Sequence, residues 1–167
     1  MKLCPHCLSP LESPRDHCPF CGKSLQNQNP AGTLAFASLL GERYTLGRFV
    51  QADGEGVTYE GADNTTGQRV MIREYLPVTL AQGRVEGRLE PKPGREVLFK
   101  TNRMDFADLY RTLQRITPAT GLVTVQDVIE ENDTVYAVTE VCKGQTLEKY
   151  LFSRKSPLKP AEARSLM

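Results

Sequence analysis

"VMIREYLP", residues 70–77, is the stretch on which the reading of this chain turns. It closes a run, "QRVMIREYL", that begins just after "NTTG" (64–67), a turn carrying Asn and Gly, and two more short β-rich runs precede it, "YTLGRFV" and "GVTYEGAD". Runs of this length separated by turn residues predict three consecutive antiparallel strands with tight connections. Residues 77–95 are rich in Gly, Pro and charge and predict an irregular connection. From about Glu96 to Ile116, Phe99, Phe106, Leu109, Leu113 and Ile116 recur at spacings of three, four and seven, the mark of an amphipathic helix. Two more strands, "LVTVQDVIEE" and "TVYAVTEV", flank the turn "NDT". The order β-β-β-α-β-β predicts an α+β arrangement, a five-stranded antiparallel sheet with one helix against it.

Upstream of this unit, Cys4, Cys7, Cys18 and Cys21 form "CPHC" and "CPFC" with ten residues between them, while Cys142 stands alone. Two C-x-x-C knuckles bring four thiolates to one point, as tetrahedral zinc requires. Pro5 and Pro19 stiffen the knuckles, and Gly22 permits the positive φ such turns often need. A disulfide pair, which suits secreted proteins, and a redox C-x-x-C are the competing readings. Structural Zn2+ is the expectation, with His6 and His17 as exposed loop residues because four cysteines already complete a shell. About 25 residues hold almost no apolar core, so metal binding must supply most of their folding free energy. The segment resembles the short zinc ribbons of bacterial regulatory proteins. "QNQNPAG" (26–32) is polar, with Pro30 and Gly32, and predicts a boundary. The expected organisation is a ribbon over 1–25, a linker over 26–40 and a second unit over 41–167.

Composition narrows the functional classes. The 167 residues are 40% hydrophobic and 25% charged, ordinary globular material. A formal net charge of +1 gives no case for nucleic acid or an anionic membrane. No apolar run approaches the roughly 20 residues of a membrane span, and the N-terminus lacks the apolar stretch of a secretory signal, so a cytoplasmic location is expected.

Several phrases together resemble the N-terminal lobe of protein kinases, over about residues 41–167. "GERYTLGRFV" is similar to its first strand and "GVTYEGADNTTGQRVMIREYLP" to its second and third. "TLQRI" is similar to the end of its αC helix, and "DVIEENDTVYAVTEVCKGQTLEKYL" to its fourth and fifth strands, hinge and next helix. "EYLP" with "GQTLEKYL" looks like a bacterial branch of the serine/threonine kinases, a family of signalling proteins.

The resemblance implies a nucleotide site and shows where this chain departs from it. The family's three loop glycines fall on Gln51, Asp53 and Gly56, with Gly54 a partial substitute, Val57 following, and Asp53 and Glu55 adding carboxylates where phosphates would lie. The V-A-I-K lysine becomes Arg73, wider and planar. Its αC glutamate partner falls on Leu109, and Asp108, about 100° round the helix, points elsewhere. Met71 stands where a small alanine would roof the adenine. Thr139 falls at the gatekeeper, and the backbone of Glu140 and Cys142 would face a base; Cys142 is read as a small hinge residue and not a reactive thiol. Gly54, Gly56, Val57, Arg73, Glu140 and Cys142 are thus a degenerate nucleotide-site set. "PLKPAEARSLM" reads as the start of the next large helix, and neither an H-R-D nor a D-F-G motif occurs. The expectation is a non-catalytic, pseudokinase-type interaction module. It would bind protein partners, with no catalytic residues and no ATP/Mg2+ requirement. The alternative is the ATP-binding half of an atypical serine/threonine kinase. Arg73 is expected to reach Asp53 or Glu55 instead of a phosphate.

Overall fold

The structure is a computed structural model and describes every residue except Met1, Pro14, Lys143, Lys155, Leu166 and Met167. In chain order it contains β1 (Lys2–Leu3), β2 (Pro10–Leu11), β3 (Leu39–Leu40), β4 (Tyr44–Ala52), β5 (Gly56–Asp63), β6 (Arg69–Tyr75), β7 (Ala81–Val85), β8 (Arg88–Pro91), α1 (Glu96–Ile116), β9 (Val125–Glu131), β10 (Thr134–Glu140), α2 (Leu147–Ser153) and α3 (Pro160–Ser165). Of the large helix expected over 157–167, α3 is the described part.

The main sheet has six antiparallel strands in the order β3-β4-β5-β6-β10-β9. It therefore carries one strand beyond the five expected, the two-residue β3, and it curls toward closure. At the approaching edges Tyr44 donates to Asp127 at 3.2 Å, and the Gly41 amide donates to Glu131 at 2.9 Å. A Cβ on Gly41, which sits at φ +54, would come within 3.0 Å of Ile129.

Residues 77–95 are not irregular throughout, because β7 and β8 form a second, two-stranded sheet. Glu86 and Gly87 between them both have positive φ, the backbone of a tight hairpin turn that matches strand twist. The flanking strands alternate too weakly for sequence periodicity to reveal them.

Alternation along β6 explains the core. Val70 and Ile72 join Leu40, Tyr44, Leu46, Tyr59, Tyr136 and Val138 on the inner face of the curl. On the other face Tyr75 packs with Phe99, Phe106, Leu80 and Leu89 beneath α1. Aromatic rings link helix to sheet in series: Tyr75 to Phe99 at 5.4 Å, Tyr75 to Phe106 at 5.6 Å, and Phe106 to Tyr110 at 4.7 Å. Each such pair contributes about 0.5–1.5 kcal/mol beyond its area burial.

The bounds of α1 match the expected helix, but its inner face is rotated. Phe99, Phe106 and Ala107 are buried, whereas Leu109 is 54% exposed and Ile116 is also exposed. The ring series selects position 110 over 109, and one residue is about 100° of turn.

The stretch expected to act as a polar linker is itself packed. Asn29 is buried, its amide donating to the carbonyls of Leu34 at 3.0 Å and Gly47 at 3.1 Å while its oxygen accepts the Phe49 amide at 2.8 Å. One side chain thus satisfies a bend that would otherwise bury three unpaired main-chain groups.

The β5–β6 turn is held by Asp63, which is 1% exposed. Its carboxylate accepts from Arg43 at 3.0 and 2.7 Å, from the Thr65 amide at 2.9 Å and from the Thr66 hydroxyl at 2.9 Å. The Arg43 hydrogen bonds outweigh the opposing effect of burial and, with Thr65 and Thr66, depress its pKa to about 2. A depressed carboxyl stabilises the fold above its unfolded value and loses that contribution as pH falls toward the folded one. Asp63→Asn is therefore expected to cost about 2 kcal/mol at neutral pH, and to flatten the stability loss between about pH 4 and pH 2, measured by urea melts across that range. An unchanged acid limb would refute it.

Candidate functional site

Two places gather functional side chains. In the first, each C-x-x-C pair sits in its own small loop, and the two loops are of the same type. The Leu8 amide donates to the Cys4 carbonyl at 2.8 Å and the Cys4 amide to the Ser9 carbonyl at 2.9 Å. In the second loop the Gly22 amide donates to the Cys18 carbonyl and the Cys18 amide to the Lys23 carbonyl, both at 2.9 Å. Leu8 (φ +65) and Gly22 (φ +69) occupy equivalent left-handed positions, so the first loop uses a leucine where the second uses the glycine singled out in the sequence.

The result is a cluster in which all four sulfurs lie within 4.8 Å of one another. Cys4 and Cys21 are 4.0 Å apart and Cys7 and Cys18 are 3.7 Å apart. A tetrahedral ion with metal–sulfur bonds of about 2.3 Å sets its ligands about 3.8 Å apart, while a disulfide needs about 2.05 Å. The four cysteines can bind a metal ion, and the spacing is consistent with zinc. His6 is not a loose surface residue as expected: it is half-buried, its ring 4.9 Å from Phe36 and its Nε2 3.2 Å from the Ser24 carbonyl. His17 is exposed.

The cluster is tied to the main sheet. The Leu3 amide donates to Asn64 at 2.9 Å, and Arg69 donates to the carbonyls of Pro5 and His6. Phe36, Ala37 and Leu25 pack directly on Cys4 and Cys18.

The second place is a cleft of about 510 Å3 between the sheet, α1 and the segment after β10. Met71, Arg73, Thr58, Tyr110, Leu113, Val125, Thr139, Glu140 and Cys142 border it. Of the nucleotide-site set, Arg73, Glu140 and Cys142 are therefore brought together. Val57 is not: it is buried on the inner face of the curl, and strand alternation hands its expected place to Thr58. Gly54 borders a separate hollow with Glu55, Tyr75 and Leu109. Gly56 is needed for packing, since a Cβ there would lie 2.2 Å from the Glu74 carbonyl. Met71 walls the cleft without filling it.

Arg73 does reach the loop carboxylates. Its Nη2 donates to both Asp53 oxygens, at 3.0 and 2.9 Å, and to Glu55 at 3.4 Å. Asp53 Oδ1 also accepts the Glu55 and Gly56 amides, each at 3.0 Å. Partial burial pushes the Asp53 carboxyl pKa up, but the Glu55 amide, Arg73 and the Gly56 amide outweigh it and hold it below the usual value. Across the cleft the helix residue facing Arg73 is Tyr110: burial raises its phenol pKa, and the Arg73 charge pulls the other way. Leu109 points to the other hollow.

Sequence reasoning missed a third constellation. Glu74 is fully buried on the face opposite Arg73, accepting from the Tyr59 hydroxyl at 2.7 Å and ion-paired with Arg84 of β7. Only the alternation of β6 carried a hint of it.

No protein-family model matches the chain, and no curated protein matches it. Solved structures do. One of them, titled "PpkA-294 apo form", superposes with a TM-score of 0.67 at 24% sequence identity, covering 74% of this chain and 44% of that one. This chain thus spans less than half the length of that neighbour. The likeness is one of fold, and the fold is kinase-like. Among the described residues, no helix is long and apolar enough to cross a membrane.

Proposed function

We propose that the chain is a non-catalytic, pseudokinase-type module that acts by presenting surfaces to protein partners, with a structural zinc ribbon over residues 1–25 and a kinase-like N-lobe and hinge after it. In this reading α1 is the counterpart of αC, and β4, β5, β6, β10 and β9 are the five lobe strands. The observation that carries it is the Arg73–Asp53–Glu55 clasp. The cation that would hold phosphate is already neutralised, the helix offers Tyr110 in place of a glutamate, and Glu74, its neighbour in sequence, is sealed on the opposite face. Phosphoryl transfer depends on electrostatic stabilisation of developing charge, and carboxylates at the loop tip oppose it. The Cys4, Cys7, Cys18 and Cys21 geometry supports zinc, whose role would be to hold the ribbon folded against β4–β6. The open cleft favours a second reading, the ATP-binding half of an atypical serine/threonine kinase.

Two measurements separate them. The protein is expected to release no phosphate from ATP with magnesium and to label no generic substrate. Arg73→Ala, which removes a partly exposed ion pair, should cost about 1 kcal/mol, lowering the melting temperature by roughly 2–4 °C, with no ATP binding in either form. Turnover that disappears in Arg73→Ala would establish the second reading.

A further inference from the structure

We infer that the seam between the cysteine loops and the main sheet is a docking site for a phosphorylated side chain of a partner protein, with Lys23 and Arg69 as the cations that take the phosphate.

The two parts of the chain meet along β4–β6, and Gly47 of β4 allows the close approach. A Cβ there would lie 3.2 Å from the Pro5 Cβ and 2.7 Å from the Glu60 carbonyl oxygen. A hollow of about 390 Å3 lies along this seam. Pro5, His6 and Lys23 wall it from the cysteine loops, while Arg48, Glu60 and Arg69 wall it from the sheet. Phe36, from the segment that joins the two parts, completes the lining. Neither part forms the hollow alone.

Its charges do not balance. Lys23, Arg48 and Arg69 against the single carboxylate of Glu60 leave an excess of two positive charges, in a chain whose formal net charge is +1. Glu60 is engaged by Arg48, whose Nε and Nη2 donate to it at 2.9 and 2.8 Å. Arg69 donates instead to the carbonyls of Pro5 and His6. Carbonyls fix the direction of a guanidinium without neutralising it. The main chain at Lys23 is also fixed, because its carbonyl accepts the Cys18 amide at 2.9 Å. Among the described residues neither Lys23 nor Arg69 has a carboxylate partner. The Arg48 hydrogen bonds hold the Glu60 carboxyl below its usual value against the effect of burial, and the charges of Arg48, Arg69 and His6 lower it further. The field is therefore positive even at the one acid of the hollow.

Two uncompensated cations in one concave site match a phosphomonoester, which carries about −1.5 to −2 charge at neutral pH and three acceptor oxygens. A carboxylate supplies one charge and leaves the second cation unpaired. Convergent Arg and Lys side chains are also how protein modules take phosphorylated motifs. The inference deepens the reading above by naming the partner's chemistry, and it rests on that reading for the partner being a protein.

The test titrates the whole chain with a blocked alanine pentapeptide carrying phosphoserine at its centre, and with the same peptide carrying glutamate or serine, followed by amide chemical shifts. The phosphoserine peptide is expected to bind more tightly than about 1 mM, moving the amides of Lys23, Phe36, Arg48 and Arg69, and the glutamate peptide to bind at least about tenfold more weakly. Lys23 is exposed, so Lys23→Ala should fold, and it should weaken the phosphoserine peptide at least about fivefold. Glu60→Gln removes the only carboxylate and releases Arg48, so it should strengthen binding about threefold or more. The inference is overturned if the phosphoserine peptide does not bind, if the glutamate peptide binds as tightly, if the shifts fall elsewhere, or if Lys23→Ala leaves the affinity unchanged. Any of these outcomes leaves the non-catalytic reading standing, since that reading fails on ATP turnover.

Discussion

Stripping metal from the protein with a chelator, or replacing Cys18 by serine, is expected to unfold residues 2–25 while the six-stranded sheet stays folded. The core of this segment consists of Cys4, Cys18, Leu25, Phe36 and Ala37, with Cys7, Leu11 and Cys21 packed against it. Half of that cluster is the four cysteines themselves, so apolar burial without a bridging ion is too small to offset the entropy of ordering about 25 residues. Structural zinc contributes on the order of 10–16 kcal/mol in zinc-finger peptides, and that binding energy is folding energy. The sheet has independent support in its two apolar clusters. Hydrogen exchange should therefore show protection lost over β1, β2 and both knuckles, and kept over β5, β6 and β10. Protein purified without chelator should carry about one zinc per chain. Metal-free protein that keeps this protection, with four freely titrating thiols, would remove zinc from the account.

The second large effect concerns the buried Glu74–Arg84 pair. Arg84→Met leaves the Glu74 carboxylate inside the sheet with only the Tyr59 hydroxyl at 2.7 Å. Removing one partner of a buried pair costs about 3–5 kcal/mol, since the remaining charge is uncompensated. For a chain of this size that is a fall in melting temperature of roughly 6–20 °C. Glu74→Gln together with Arg84→Met removes both charges and should recover a large part of the loss. Arg84 Nε is buried with no hydrogen-bond partner, which adds to the case that an uncharged pair is tolerated. Urea melts of the two single variants and the double variant form a cycle. A cost below about 1 kcal/mol for Arg84→Met, or simple additivity in the cycle, would show that the pair does not anchor the β7–β8 hairpin.

Neither Arg73 nor Glu74 can be understood from its neighbour in sequence. They differ by one position and by an entire environment: one faces the cleft and the loop carboxylates, the other an apolar interior closed by a hairpin. Alternation along a strand makes the opposition legible, but the identity of Glu74's partner depends on where β7 docks.

Local chemistry fixed a good deal in advance. The cysteine spacing, the turn residues at 64–67, the helical periodicity over 96–116 and the paired strands after it depend on residues close together in the chain, where steric and turn preferences act directly. The Arg73–Asp53 clasp, between residues 20 apart, was legible for a different reason: β5 pairs with both β4 and β6, so three consecutive antiparallel strands set the β4–β5 loop beside Arg73. Tertiary structure alone decided the rest. Whether position 109 or 110 of α1 faces the cleft depends on how Phe99 and Phe106 seat against Tyr75. Whether residues 26–38 hang free or pack depends on Asn29 finding Gly47 and Phe49. Whether the cysteine loops stand apart or lie on the sheet depends on Asn64 and Arg69. Each of these contacts joins residues distant in sequence, and only the packed fold brings them within hydrogen-bonding or van der Waals range.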